Sequence, residues 1–174
     1  MSLCAVLLSR RSDLGTKAER QRDKPSKSLL SRAIALLARR DHSRAELSRK
    51  LARHIGEDED PSELGRVLDE LGRNGLLSDE RFAGAVARSR SQRFGDARIR
   101  YDLRRFGIAD DLSAAALAKL AGTEAARARE VSSRRFTGLP TTAAERAKRA
   151  RFLQSRGFSL DSIYQVLRGR TDPE

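Results

Sequence analysis

Leu103-Arg104-Arg105-Phe106-Gly107-Ile108 and, fifty positions later, Leu153-Gln154-Ser155-Arg156-Gly157-Phe158 are the two stretches that decide how this chain folds. Both place Leu, three intervening residues, Gly and an apolar residue in the same register. Both are followed at the same spacing by another Leu, Leu117 in the first case and Leu167 in the second. A looser copy begins at Leu51, with Ile55-Gly56 in place of the Gly-apolar pair and Leu68 in place of the closing Leu. Self-similarity at a period of about fifty residues marks stacked supersecondary units rather than one continuous globule.

Working outward from these stretches, the apolar residues recur at helical spacing and the turns between them are explicit. Leu29-Leu30, Ala33-Ile34 and Leu36-Leu37 follow the i, i+3, i+4 pattern of one helix face. Ser43-Arg44-Ala45-Glu46 reads as a capping box, in which the Ser hydroxyl accepts the Glu46 amide and the Glu side chain reaches back. The helix it opens runs through Leu47, Leu51 and Ile55, and Gly56 with the acids that follow ends it. Asp60-Pro61-Ser62-Glu63 supplies an N-cap, Pro at the first helical position and an acid in the first turn, and Asn74-Gly75 closes that helix. Ser78-Asp79 caps a helix through Phe82, Val86 and Arg90. Gly95-Asp96 opens the next, through Ile99, Leu103 and Phe106, and Ala109 to Leu120 forms an Ala-rich third. Thr123 starts a helix through Ala128, Val131 and Arg135. Thr142-Ala143-Ala144-Glu145 is a second capping box, and Ser159 caps a last helix containing Ile163, Val166 and Leu167. Alternating β-branched residues are missing, so strands are not expected. The reading is all-α: three tandem three-helix repeats at 29–77, 78–122 and 123–170, forming an elongated, curved molecule behind a basic, disordered tail at 1–28. Units this small bury little alone and are expected to stack on their neighbours.

Composition narrows the function. The 174 residues carry 36 Lys+Arg against 24 Asp+Glu, a formal charge of +12 that points to a polyanionic partner. By segment the tail holds +4, the first unit is neutral, the second holds +3 and the third +5, so the structured positive charge lies toward the C-terminal half. One cysteine, Cys4, allows no internal disulfide or Cys-based zinc site, and two histidines cannot build a three-His site. No HExxH, GxxxxGK[ST], GxGxxG or GxSxG pattern occurs, so no catalytic residue, metal or cofactor is expected. The apolar run Leu3–Leu8 is too short to span a bilayer and precedes its basic residues, the reverse of a signal peptide. The chain reads as cytoplasmic, without a membrane partner.

The residues now quoted, taken together, resemble the bacterial RecX family, modulators of the recombinase RecA. The resemblance is carried by Ala33-x-x-Leu36-Leu37, by Ser43-x-x-Glu46-Leu47-x3-Leu51 and by Val67-Leu68-x-x-Leu71. It continues through Gly75-Leu76-Leu77-Ser78-Asp79-Glu80-Arg81-Phe82-Ala83, Arg88, Gly95-x-x-Arg98-Ile99-x3-Leu103 and Gly107-Ile108. Arg151-Phe152-Leu153-x3-Gly157-Phe158 extends it into the third unit, so that it covers residues 29 to 169. The chain departs from the family's pattern at Ile55-Gly56, where an acidic insertion replaces a Gly-apolar turn, and in its basic tail. The resemblance implies a non-enzymatic, monomeric regulator. It would bind the RecA–DNA filament, in its helical groove, and inhibit strand exchange, ATP turnover and coprotease activity in DNA repair and the SOS response.

The expected binding face follows the arginines. The middle helix of the second unit carries Arg98, Arg100, Arg104 and Arg105, with Tyr101 off the apolar stripe. Arg134 and Arg135 end the preceding helix of the third unit, and its middle helix carries Arg146, Lys148, Arg149 and Arg151. Guanidinium groups pair with phosphate and carboxylate alike, so this face suits the recombinase filament and the backbone of single- or double-stranded DNA. An alternative is a direct DNA-binding protein or transcription regulator, although no helix presents base-reading Asn, Gln and Arg at the required spacing. A scaffold for another acidic protein is a third reading. Asp79-Glu80 is read as a pair of acids favouring their own helix N-terminus rather than as an acid/base pair. Phe82 is read as a core anchor between units. His42 and His54 are read as ordinary surface residues.

Overall fold

A computed structural model describes residues 28–55 and 60–169. The expected tail and the Gly56 stop therefore lie outside the described residues, apart from Ser28. Nine α-helices occur among those described, with no strand. They are α1 (Leu29–Leu37), α2 (Arg44–Leu51), α3 (Pro61–Arg73), α4 (Asp79–Ser91), α5 (Asp96–Arg105), α6 (Asp110–Ala118), α7 (Glu124–Ser133), α8 (Ala143–Ser155) and α9 (Leu160–Arg168), with a 3-10 turn over Ala52–His54 after α2. Most starts are set by a side-chain cap: Ser28, Ser43, Asp60, Ser78, Thr123, Thr142 and Ser159 each accept the backbone amide that the first turn leaves unpaired. α7 stops at Ser133, two residues short of the expected Arg135.

Three separate cores follow the three units. Leu47, Leu51, Leu68 and Leu71 centre the first, Phe82, Ile99, Leu103 and Leu117 the second, and Val131, Leu153, Phe158 and Ile163 the third. Phe82 packs edge-on against Phe106 at 5.3 Å between ring centres, so it anchors the core of its own unit rather than a seam between units. Leu103 and Leu153, the residues that open the repeated motif, are fully buried. Gly107 and Gly157, four residues later, take positive φ of 77° and 80°, a conformation that lets the chain turn from each middle helix into the third.

The same clasp joins consecutive units. At the first joint the Asp79 carboxylate, on the first residue of α4, accepts the Arg44 amide at the start of α2 at 2.7 Å. The Ser43 hydroxyl donates to the Phe106 carbonyl at the end of α5 at 2.6 Å. At the second joint the Glu124 carboxylate, on the first residue of α7, accepts the Asp96 amide at the start of α5 at 2.8 Å. The Gly95 amide donates to the Arg156 carbonyl at the end of α8 at 3.0 Å. In both, an acid from the following unit occupies the positive end of the preceding unit's middle helix, where negative charge is stabilised. Asp79 thus serves a different helix from the one expected. The approach is close: a Cβ on Gly107 would stand 2.5 Å from the Ala45 methyl, and one on Gly95 would fall within the backbone of Gly157 and Phe158.

Two local expectations change. Glu46 does not complete a capping box with Ser43; its carboxylate binds Arg40 and Lys50 instead. Partial burial works to raise this carboxyl, but the two cations outweigh it and hold it at about 2. His42 is 3% exposed rather than on the surface. Its Nδ1 lies 3.0 Å from the Arg40 carbonyl and its Nε2 2.9 Å from the Lys50 ammonium. Burial lowers its pKa, which suits a neutral ring that accepts from Lys50. By contrast, Thr142 and Glu145 form the complete capping box that the sequence indicates.

Two substitutions test this architecture. Leu103→Ala empties a fully buried position and is expected to cost about 2–5 kcal/mol in denaturant unfolding. Gly95→Ala forces a methyl into the neighbouring unit's backbone, at an expected cost of about 1–3 kcal/mol. The second variant should also uncouple the third unit, so that a single calorimetric melting transition splits into two.

Candidate functional site

The expected arginine face is built by α5, the end of α7 and α8, and these elements do not display it uniformly. On α5 the apolar residues Ile99 and Leu103 point into the core, which turns Arg100, Tyr101, Arg104 and Arg105 outward. Tyr101 is 52% exposed, with the Arg98 guanidinium 5.6 Å and that of Arg105 6.0 Å from its ring centre. Arg104 pairs with Asp110 at 3.2 Å. Arg98 reaches the buried Asp102 at 3.3 Å. Arg100 is exposed and makes no ion pair among the described residues.

In the third unit, Arg146 donates to the Thr141 carbonyl at 3.3 Å, and Lys148 and Arg151 are exposed. Arg149 departs from the expected face. It is 7% exposed, with its guanidinium 5.0 Å from the centre of the Phe136 ring. It lies on the inner side of α8 one turn before Leu153, which is fully buried. An aromatic partner and a long aliphatic stem let an arginine pack there. Arg134 and Arg135 are both exposed; Arg134 pairs with Glu130 and donates to the Gln92 carbonyl at 3.2 Å.

The fold adds residues that sequence reasoning did not single out. Phe94, in the turn before α5, is ringed by four guanidinium groups: Arg90, Arg93, Arg98 and Arg156, at 5.7–5.9 Å from its centre. Arg156 also stands 4.6 Å over Phe152, which meets Phe136 edge-on at 5.3 Å. Guanidiniums and rings therefore form one chain of contacts from Arg105 through Tyr101, Arg98, Phe94, Arg156 and the ring pair Phe152–Phe136 to Arg149, crossing the second joint. The local signal was an arginine beside an aromatic-glycine pair in a turn, Arg93-Phe94-Gly95 and Arg156-Gly157-Phe158. Their meeting depends on the joint, so neither turn was informative alone. Arg98 and Arg134 belong to this junction. Arg146 lies ten residues before Arg156, roughly 15 Å along the helix axis.

Opposite chemistry pins the same joint. Glu124 accepts hydrogen bonds from the Asp96 amide, from the Ser159 amide and hydroxyl, and from the Ser162 hydroxyl. Burial pushes its carboxyl up, but these donors outweigh it and hold it below the ordinary value of 4.5. Asp96 pairs with Arg127 at 2.5 Å. Burial, helped by the negative charge of Glu124, nevertheless raises its carboxyl. No cluster of three or more His, Cys, Asp or Glu side chains able to hold a metal ion occurs among the described residues. No helix among them is long and apolar enough to cross a membrane.

Comparison with known proteins matches residues 78–117 to the family model for the second three-helix domain of RecX, and residues 123–167 to that for the third. The chain is 49% identical over 146 residues to the regulatory protein RecX of Leptothrix cholodnii, covering 84% of this chain and 91% of that one. It is 42% identical to the regulatory protein RecX of Ralstonia nicotianae, covering 82% and 87%. Among solved structures, RecX from Lactobacillus salivarius superposes with a TM-score of 0.71 at 18% identity, covering 83% of this chain and 95% of that chain. A second crystal structure of a regulatory protein RecX gives 0.67 at 21% identity, covering 93% and 81%. The two structures share this all-helical fold.

The Glu124 clasp predicts a pH signature. A carboxyl held low in the folded protein contributes stability that is present above its unfolded value near 4.5 and is lost as pH falls through its folded value. Glu124→Gln is therefore expected to be less stable than the parent at pH 7 by about 1–2 kcal/mol, allowing for its partial exposure. Denaturation curves of the two proteins should converge as pH drops below the ordinary glutamate range. Glu124→Gln also removes the negative charge that helps raise the Asp96 carboxyl, so the difference between the curves includes that coupling.

Proposed function

The chain belongs to the RecX family of regulatory proteins, and from that premise we propose that it binds the RecA–DNA filament and inhibits its recombinase, ATPase and coprotease activities. It acts as a monomer without cofactor or catalysis of its own, in the cytoplasm, during DNA repair and the SOS response. The observation that carries this reading is the outward row on α5. Arg98, Arg100, Tyr101, Arg104 and Arg105 stand on a helix clamped at its start by the third unit and at its end by the first. The proposed surface also takes in the exposed Arg134, Arg135, Arg146, Lys148 and Arg151 of the third unit, while the buried Arg149 holds Phe136.

A rigid row of this kind suits a surface that is itself rigid and periodic. Arginine forks donate paired hydrogen bonds to carboxylates and to phosphates alike, which suits both the recombinase and its DNA. Tyr101, flanked by two guanidiniums, supplies the exposed aromatic edge that interface centres favour. Binding by such a surface would hold filament subunits in one relative orientation, and a subunit that cannot change orientation cannot complete its ATP cycle.

Titrating the protein into RecA on single-stranded DNA with ATP is expected to slow hydrolysis at or below one chain per recombinase subunit. Absence of any effect at saturation would overturn the reading. Arg105→Glu alters an exposed side chain, so its melting temperature should match the parent. Its inhibitory potency is expected to fall by about tenfold or more, since charge reversal at an interface replaces attraction with repulsion.

A further inference from the structure

Beside the Phe94 cluster, a groove of about 290 Å³ crosses the joint between the second and third units. Arg93, Arg134, Arg135 and Arg156 line it, with Val131 and Phe152. Three of these arginines come from the third unit and one from the second. Among the described residues, only Arg134 of these four has a carboxylate partner, Glu130. Arg93 and Arg135 are exposed and make no ion pair among the described residues. Arg156 spends one nitrogen on the Arg93 carbonyl, at 3.2 Å, and holds its plane over Phe94 and Phe152.

We propose that this groove is a phosphodiester site for a nucleic-acid strand, held by Arg93 from one unit and by Arg134, Arg135 and Arg156 from the next. Arg93 and Arg156 both lie within 6 Å of the Phe94 centre, so their charges are no more than about 12 Å apart. That bound exceeds the Debye length of about 8 Å at physiological salt, at which exposed charges are largely screened; the half-buried Arg156 is screened less. Four guanidiniums facing one carboxylate form a concentration of positive charge that an anion relieves.

Three features favour phosphate over acidic protein. The positive charge continues along the joint through Arg90 and Arg98, which share the single carboxylate of Asp102, and a nucleic-acid strand offers a charge about every 3.4 Å of its length. The ring of Phe94 is already occupied by guanidiniums, so no free stacking platform is presented and contact falls on backbone rather than base. Arg156 is pre-oriented by its ring contacts and its bond to Arg93, which lowers the ordering cost of a bidentate contact.

The placement has a mechanical consequence. A phosphate in the groove would be gripped by both units at once, on the joint that Glu124 pins through Asp96. Bound nucleic acid would therefore stiffen the angle between the second and third units. The inference draws its biological setting from the proposed filament binding, but its test omits the recombinase, so either can fail without the other.

The test is fluorescence anisotropy with a labelled twenty-nucleotide oligothymidylate, repeated with a duplex of equal length and with polyglutamate of equal charge, each over a salt series. Arg93→Gln combined with Arg135→Gln changes two exposed side chains, and thermal melting confirms the fold. The pair is expected to weaken oligothymidylate binding by about tenfold and to reduce the single-strand salt slope by about 1.4, the value of two lost contacts. Glu130→Gln, which frees Arg134, should tighten binding and steepen the slope. Arg66→Gln, on the first unit, should change neither. Duplex binding with the same dependence on Arg93 and Arg135 also supports the proposal. Parent-like affinity and slope in the double variant would overturn it. So would polyglutamate binding as tight as that of DNA with the same dependence on these arginines.

Discussion

The structure depends on one electrostatic contact used twice. The first residue of α4 and the first residue of α7 are both acids, Asp79 and Glu124. Each places its carboxylate on the unpaired amide at the start of the preceding unit's middle helix. A helix start concentrates partial positive charge and free donors, and a three-helix unit has too small a core to stand alone. The clasp satisfies both needs in one geometry. The ends of the array follow the same logic. α1 has no described unit before it and no acid in its first turn. α8 has no described unit after it and closes its own start with the Thr142–Glu145 capping box.

That arrangement decides what the arginines can do. Many of them are already engaged, with Asp102, Asp110 or Glu130, or against Phe94, Tyr101, Phe136 and Phe152. Such contacts hold long side chains in one orientation, which reduces the entropy lost when an anion binds. The arginines of the second and third units are therefore ordered by a scaffold of rings and joints. The second joint gathers Arg90, Arg93, Arg98 and Arg156 around Phe94, because it brings two turns together that each carry an arginine beside an aromatic residue.

Much of the fold was legible along the chain because helix starts, stops and apolar faces are local. Ser78, Thr123, Thr142 and Ser159 cap the helices their positions indicate, and Leu103 and Leu153 are buried as the repeated motif requires. Misreadings occur where a side chain leaves its own helix. Glu46 has the spacing of a capping box but is taken by Arg40 and Lys50, and His42 is buried against the same cluster. Arg149 carries a charge yet points inward, since Phe136 arrives from a separate segment to cover it.

The amino-acid sequence by itself determined an all-helical chain of repeated three-helix units, its family, and the bias of positive charge toward the C-terminal half. Those properties follow from residue spacing, capping chemistry and composition, which need no knowledge of distant contacts. Only the tertiary structure decided that Asp79 and Glu124 clasp the units, and that Gly95 is required by the backbone of Gly157 and Phe158. Only it brought Arg93 and Arg156, 63 residues apart, into contact across one joint. The physical reason is that a short-range hydrogen bond or guanidinium–ring contact exists only where folding places its two halves within a few ångströms, and no local pattern records that meeting.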